Sequence, residues 1–189
     1  MSDVRDGLAA SSKQFITFTV LVITALVTYH LVVYEGASGI SFNSVEITDA
    51  TLFRRVFLVV PAALLGAFSC VGYLRRCQRE VYDYLTISRY RVLGKTGLHE
   101  LRLPADYILG LFVLRAEGGF LGKVVSSVVT FLCVAVFVFA PAAYIVRSAA
   151  ENIAVFGAAD PVVLVASGTA IALCVCSLLV IVLAGRIRA

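Results

Sequence analysis

Four long apolar runs, Phe15–Val33, Val56–Leu74, Val124–Val146 and Val162–Ala184, constrain this chain more than any other feature. Each is close to the ~20 apolar residues that a helix needs to cross ~30 Å of hydrocarbon. Lipid offers no hydrogen bonds to the backbone, so each run is predicted to be a helix that satisfies its own peptide groups. A hydrophobic fraction of 60% in 189 residues lies well above the ~45–50% of soluble domains. The expected fold class is an all-α integral membrane protein with four transmembrane helices, read as one membrane domain over residues 1–189. Residues 34–55 form an outer loop, and residues 75–123 are an insertion between the second and third spans.

The basic residues orient the spans. Arg5 and Lys13 precede the first run, and Arg186 and Arg188 follow the last. Arg75, Arg76, Arg79, Arg89, Arg91, Lys95, Arg102, Arg115 and Lys123 fall in the central segment, and the other connections hold only Arg54, Arg55 and Arg147. Lys and Arg accumulate on the cytoplasmic side of short connections. Both termini and the insertion are therefore expected in the cytoplasm. At 19 residues, the first run exceeds the 7–15 of a cleavable signal's apolar region and reads as an anchor. The excess of Arg over Lys, with many Ala and Val, suggests a bacterial inner membrane.

Polar residues inside the spans are few and small. Thr17, Thr24 and Thr28 recur at helical spacing, so their hydroxyls fall on one face of the first helix. Such a face suits either close packing against another helix or the lining of a pore. Gly66 with its small neighbours in the second run, and Ala166 and Ala170 in the fourth, mark faces for close approach. Those two spans are expected to make the tightest contacts, and the Val- and Phe-rich third span to face lipid. Pro61 permits a kink. Asp49–Ala50–Thr51 suits a helix cap, and the alternation in Ile40–Ile47 suits a short strand. Cys70, Cys77, Cys133, Cys174 and Cys176 all lie within spans or beside their cytoplasmic ends, where they serve as small packing residues.

The insertion departs from this pattern. Its first part, through Tyr84, continues the second span as a helix with Arg75, Arg76 and Arg79 at headgroup level. Two alternating runs then flank Gly94–Lys95–Thr96–Gly97, which predicts a β-hairpin. Pro104 suits the first position of a short interfacial helix that ends before Gly118–Gly119. Arg75, Arg76, Arg79 and Lys123 lie where anionic lipid headgroups attract basic side chains. Arg89, Arg91, Lys95 and Arg102 lie farther out, interleaved with Tyr84 and Tyr90, and form a candidate surface for a soluble protein. Asp83 and Glu100 dilute any nucleic-acid reading.

The chemistry these residues exclude is broad. Carriers driven by protons or ions keep ionisable groups within their spans, and here no Asp, Glu, Lys or Arg sits in the middle of one. His30 lies at an outer end and His99 in the insertion, so paired axial ligands for a membrane haem are missing. The chain has no HExxH or GxSxG motif, and GKTG lacks the spacing of a phosphate-binding loop. No catalytic residues, metal or cofactor are expected. The expectation is a non-enzymatic, multi-pass subunit of a homo-oligomeric assembly that anchors a cytoplasmic partner. The second reading is a channel lined by the threonine face.

Overall fold

The computed structural model describes residues 2–35, 41–42, 45–46, 49–89 and 119–186. Tyr90, Arg91, Lys95, Arg102, most of the expected hairpin and the expected interfacial helix lie outside them. Among the described residues the chain is helical apart from one short strand pair. Four stretches are long and apolar enough to cross a membrane: Ala9–Tyr34, Ala50–Val81, Gly119–Phe156 and Pro161–Leu183. The chain is a multi-pass membrane protein.

Helix α1 spans Ser2–Tyr34. Strands β1 (Ser41–Phe42) and β2 (Val45–Glu46) pair antiparallel, Ser41 opposite Glu46 and Phe42 opposite Val45. The segment expected as one strand is thus a small hairpin. Asp49 caps α2 (Ala50–Val56), its Oδ1 accepting from the backbone N–H of Thr51 at 2.8 Å and Leu52 at 3.0 Å. The carboxylate satisfies donors that a helix start leaves open.

Helix α3 covers Val59–Arg89, and the break that separates it from α2 has its cause in Pro61. Proline lacks the N–H that would bond the carbonyl four residues back, and its ring crowds that carbonyl. The carbonyl is that of Phe57, which accepts instead from the N–H of Val60 at 2.9 Å. In Pro61→Ala the amide introduced at position 61 is expected to bond Phe57 and fuse α2 with α3. Slowed hydrogen exchange at position 61, relative to its neighbours, is the measurement.

Past its apolar run α3 stays helical through Arg89, where an extended hairpin arm was expected from position 84 onward. The residues from Tyr84 to Arg89 contain no Gly or Pro. Continuing a formed helix costs far less than starting one, and that outweighs the strand preference of Thr86 and Ile87.

Helix α4 (Gly119–Val134) runs into a π-helical turn at Ala135–Phe139, followed by α5 (Ala140–Phe156). Pro141 lies just beyond the wide turn, and its missing N–H leaves the Phe137 carbonyl without the usual partner. Gly157, at φ 86°, ends α5 and donates its N–H to the Ile153 carbonyl at 2.9 Å. Only glycine takes that backbone angle freely. Helix α6 (Pro161–Arg186) starts on Asp160, whose Oδ1 accepts from Val162 at 3.0 Å and Val163 at 3.3 Å.

The chain divides into two compact units. The first comprises Met1–Ile16 and Val71–Val136, the second Thr17–Cys70 and Phe137–Ala189. In the second, Ala25, Tyr29, Ala62, Leu65, Ile145, Ala149, Val163 and Ala170 are fully buried. Small side chains dominate this core, which lets helices approach closely in lipid. The tightest pairing is α5 with α6, followed by α2 with α6. Sequence pattern had favoured the second and fourth spans, and Gly66 of α3 does lie beside the Ser177 hydroxyl of α6.

Three hydroxyls in the spans bond the carbonyl one turn back, whereas the buried Ser167 hydroxyl has no partner. Ser69 donates to the Leu65 carbonyl at 3.0 Å, Thr130 to Ser126 at 2.7 Å and Ser177 to Leu173 at 2.7 Å. The third span is the most exposed, with 17% of its apolar window buried against 33% for the second. Phe120, Leu121, Phe131 and Leu132 of α4 are all exposed. That face suits lipid, as its composition had suggested.

Candidate functional site

Arg75, Arg76 and Arg79 stand on α3, which like α1 outruns the membrane. At ~1.5 Å per residue, the 33 residues of α1 and 31 of α3 each reach well beyond a ~30 Å hydrocarbon layer. Their overhanging parts pack together. The buried Ser11 hydroxyl donates to Gln78 Oε1 at 2.9 Å, and Gly7 abuts the same Gln78 side chain. Gly72 abuts the Phe15 ring, and the Arg75 guanidinium lies 5.7 Å from that ring's centre. Partners run 7 to 15 on α1 as they run 78 to 72 on α3, so the pair is antiparallel.

The predicted headgroup residues sit on this pair or at the start of α4. Arg76 bonds Glu80 one turn on at 3.3 Å, an exposed pairing worth a few tenths of a kcal/mol. Arg75 and Arg79 are half-buried, and Lys123 is exposed. Tyr84, predicted for docking, is 73% exposed on the far part of α3. Arg89 closes that helix. The structure therefore places Tyr84 and Arg89 on one helix, beyond Arg75, Arg76 and Arg79.

In the second unit the three threonines part company. Thr28 is buried, whereas Thr17 and Thr24 are exposed. Gly66 is half-buried, and Ala166 and Ala170 belong to the core.

The same unit holds a polar cluster that sequence reasoning missed. Asn152 of α5 is 1% exposed and Tyr29 of α1 is 0% exposed, yet both are polar. Asn152 Nδ2 donates to the Tyr29 hydroxyl at 2.9 Å and to the Arg54 carbonyl at 2.9 Å. Its Oδ1 accepts from Arg54 Nε at 3.0 Å and from the Tyr29 hydroxyl, 3.2 Å away. One amide thus ties α1, α2 and α5 together, and its donors and acceptor are all engaged.

Around it, the Tyr34 hydroxyl donates to Glu151, and Arg147 Nε bonds Glu151 at 2.8 Å. His30 Nδ1 lies 3.0 Å from the Tyr144 hydroxyl. Arg55 pairs with Asp160 at 3.5 Å and lies 4.9 Å from the centre of the Phe156 ring. The ends of α1 and α5 and the starts of α2 and α6 all meet here, so the spans alternate in direction within this unit.

Chemically this cluster is a clamp. The Asn152 amide, the Tyr29 phenol and the Arg54 Nε are spent on one another. Among the described residues no three or more His, Cys, Asp or Glu side chains converge as a metal site. The sequence signals the helix, though not the contact: Arg147–Phe156 contains no Gly or Pro, spaces Arg147 from Glu151 by four, and repeats that interval from Ser148 to Asn152. The chain matches no family model, no curated protein and no solved structure.

Proposed function

We propose that the chain is a non-enzymatic subunit of an oligomeric assembly in a bacterial inner membrane, where it holds a cytoplasmic protein partner. The observation that supports this reading is the antiparallel pairing of α1 and α3 through Ser11 and Gln78. Two helices braced against each other give the insertion a rigid base above the headgroups. Arg75, Arg76, Arg79 and Lys123 seat that base on anionic lipid. Arg89, Arg91, Lys95 and Arg102, with Tyr84 and Tyr90, meet the partner. Tyrosine and arginine are the side chains that most often anchor protein interfaces.

Oligomerisation rests on the exposed apolar faces of α1, α4 and α6, with helix contacts in lipid supplied by packing. The experiment is recovery of the assembly from native membranes, comparing the natural chain with a variant neutralised at the four outer basic residues. A partner held by the first and lost from the second supports the reading. A homogeneous monomer with nothing bound in either case refutes it.

The alternative is an oligomeric pore. Thr17 and Thr24 are exposed on one face of α1 with Val20 and Val27, hydroxyls that several copies could gather around an axis. Under the anchor reading, Thr24→Leu leaves ion flux in liposomes at the background of protein-free vesicles, as does the unaltered chain. Flux that Thr24→Leu abolishes would favour the pore.

A further inference from the structure

We propose that the second unit carries a phospholipid-binding site at the end where α2 and α6 begin, with the lipid phosphate on Arg55 and an acyl chain in the adjoining groove. The groove is open, about 520 Å³ in volume, and lined by Val56, Val59, Pro161, Val162 and Val165, with Thr169 farther along α6. All but Pro161 fall within the apolar runs, so the groove opens onto hydrocarbon. In that solvent its occupant is an acyl chain or another helix.

Arg55 favours the lipid. It immediately precedes Val56 in the groove wall, and its partner Asp160 immediately precedes Pro161. The Arg55–Asp160 pair therefore links the two walls one residue outside the groove's lining, at the height where the apolar runs give way to polar residues. Its Nε is buried with no hydrogen-bond partner. Asp160 meets one terminal nitrogen at 3.5 Å, and the Arg55 side chain is 38% exposed. An arginine carries five N–H donors in a planar fork that fits phosphate oxygens. Here Asp160 engages one terminal nitrogen and the Nε has no acceptor, beside a slot shaped for a hydrocarbon chain. A second helix seated in the groove would satisfy the guanidinium only where it brought a carboxylate to that height.

The site is tested by native mass spectrometry of the purified full chain with phosphatidylglycerol or diacylglycerol, which share acyl chains but differ in phosphate. The chain is expected to retain one phosphatidylglycerol that Val165→Phe removes, since Val165 is 67% exposed and a larger ring there fills the groove without entering the core. Diacylglycerol is expected to bind there about fivefold more weakly, the factor that one basic residue at a membrane surface contributes. Arg55→Gln is expected to erase that difference while retaining a lipid. Val175→Phe, exposed on α6 outside the groove, controls for added bulk. Equal retention by the natural chain and Val165→Phe overturns the proposal. So does an oligomer that Val165→Phe dissociates with its lipid count unchanged, which would make the groove a seat for a second copy.

Discussion

Replacing Asn152 with leucine is expected to destabilise the fold by about 2–4 kcal/mol. The side chains are similar in size, so the loss comes from hydrogen bonding and not from a cavity. Leucine leaves the Tyr29 hydroxyl, the Arg54 Nε and the Arg54 carbonyl without the partner they share. Each such group stranded in a buried setting costs about 1–3 kcal/mol, reduced in membranes because the unfolded segments find other partners. Tyr29→Phe removes only the hydroxyl, and a loss of about 1 kcal/mol is expected. Because both residues belong to one network, the double variant should cost less than the sum of the two. Reversible unfolding in mixed micelles measures all three. Additive losses would show that the tyrosine and the asparagine act separately.

The second large effect concerns binding. Changing Arg89, Arg91, Lys95 and Arg102 together to glutamine is expected to weaken partner binding by roughly 100-fold, from four charge pairs at up to about 1 kcal/mol each. The fold should be unaffected, because these residues lie beyond the apolar runs. Partner binding by the natural chain should also weaken as salt rises, since exposed charge pairs are screened over ~8 Å at physiological ionic strength. The same change at Arg75, Arg76, Arg79 and Lys123 should reduce affinity for anionic vesicles and leave partner binding largely intact. Binding measured at several salt concentrations separates the two sets.

The sequence exposed those parts of the fold that depend on local composition. Twenty consecutive apolar residues have one stable answer in lipid, so the four spans were legible. Asp49 capped the helix that its position suggested, and Pro61 interrupted the second span. The polar clamp was not legible, because hydropathy falls at Arg147 and the third span was taken to end at Val146. The helix instead continues for more than two turns, since Ala149, Ala150 and Glu151 favour it and nothing breaks it before Gly157. Asn152 then meets Tyr29, which lies 123 residues earlier in the chain. No local pattern reveals such a contact. Asp160 caps α6, and its pairing with Arg55 depends on how α2 and α6 pack. The wide turn at Ala135–Phe139 follows from Pro141, although a proline alone does not distinguish a kink from a π turn.

The central claim is that the basic insertion holds a cytoplasmic partner on an oligomeric membrane base. Its most direct test is the mass and composition of the particle extracted in native nanodiscs, for the natural chain and for the Arg89, Arg91, Lys95 and Arg102 variant. The account predicts several copies of the chain with a soluble protein at fixed stoichiometry, and the same oligomer stripped of that protein in the variant. A single copy carrying only lipid in both preparations would contradict it.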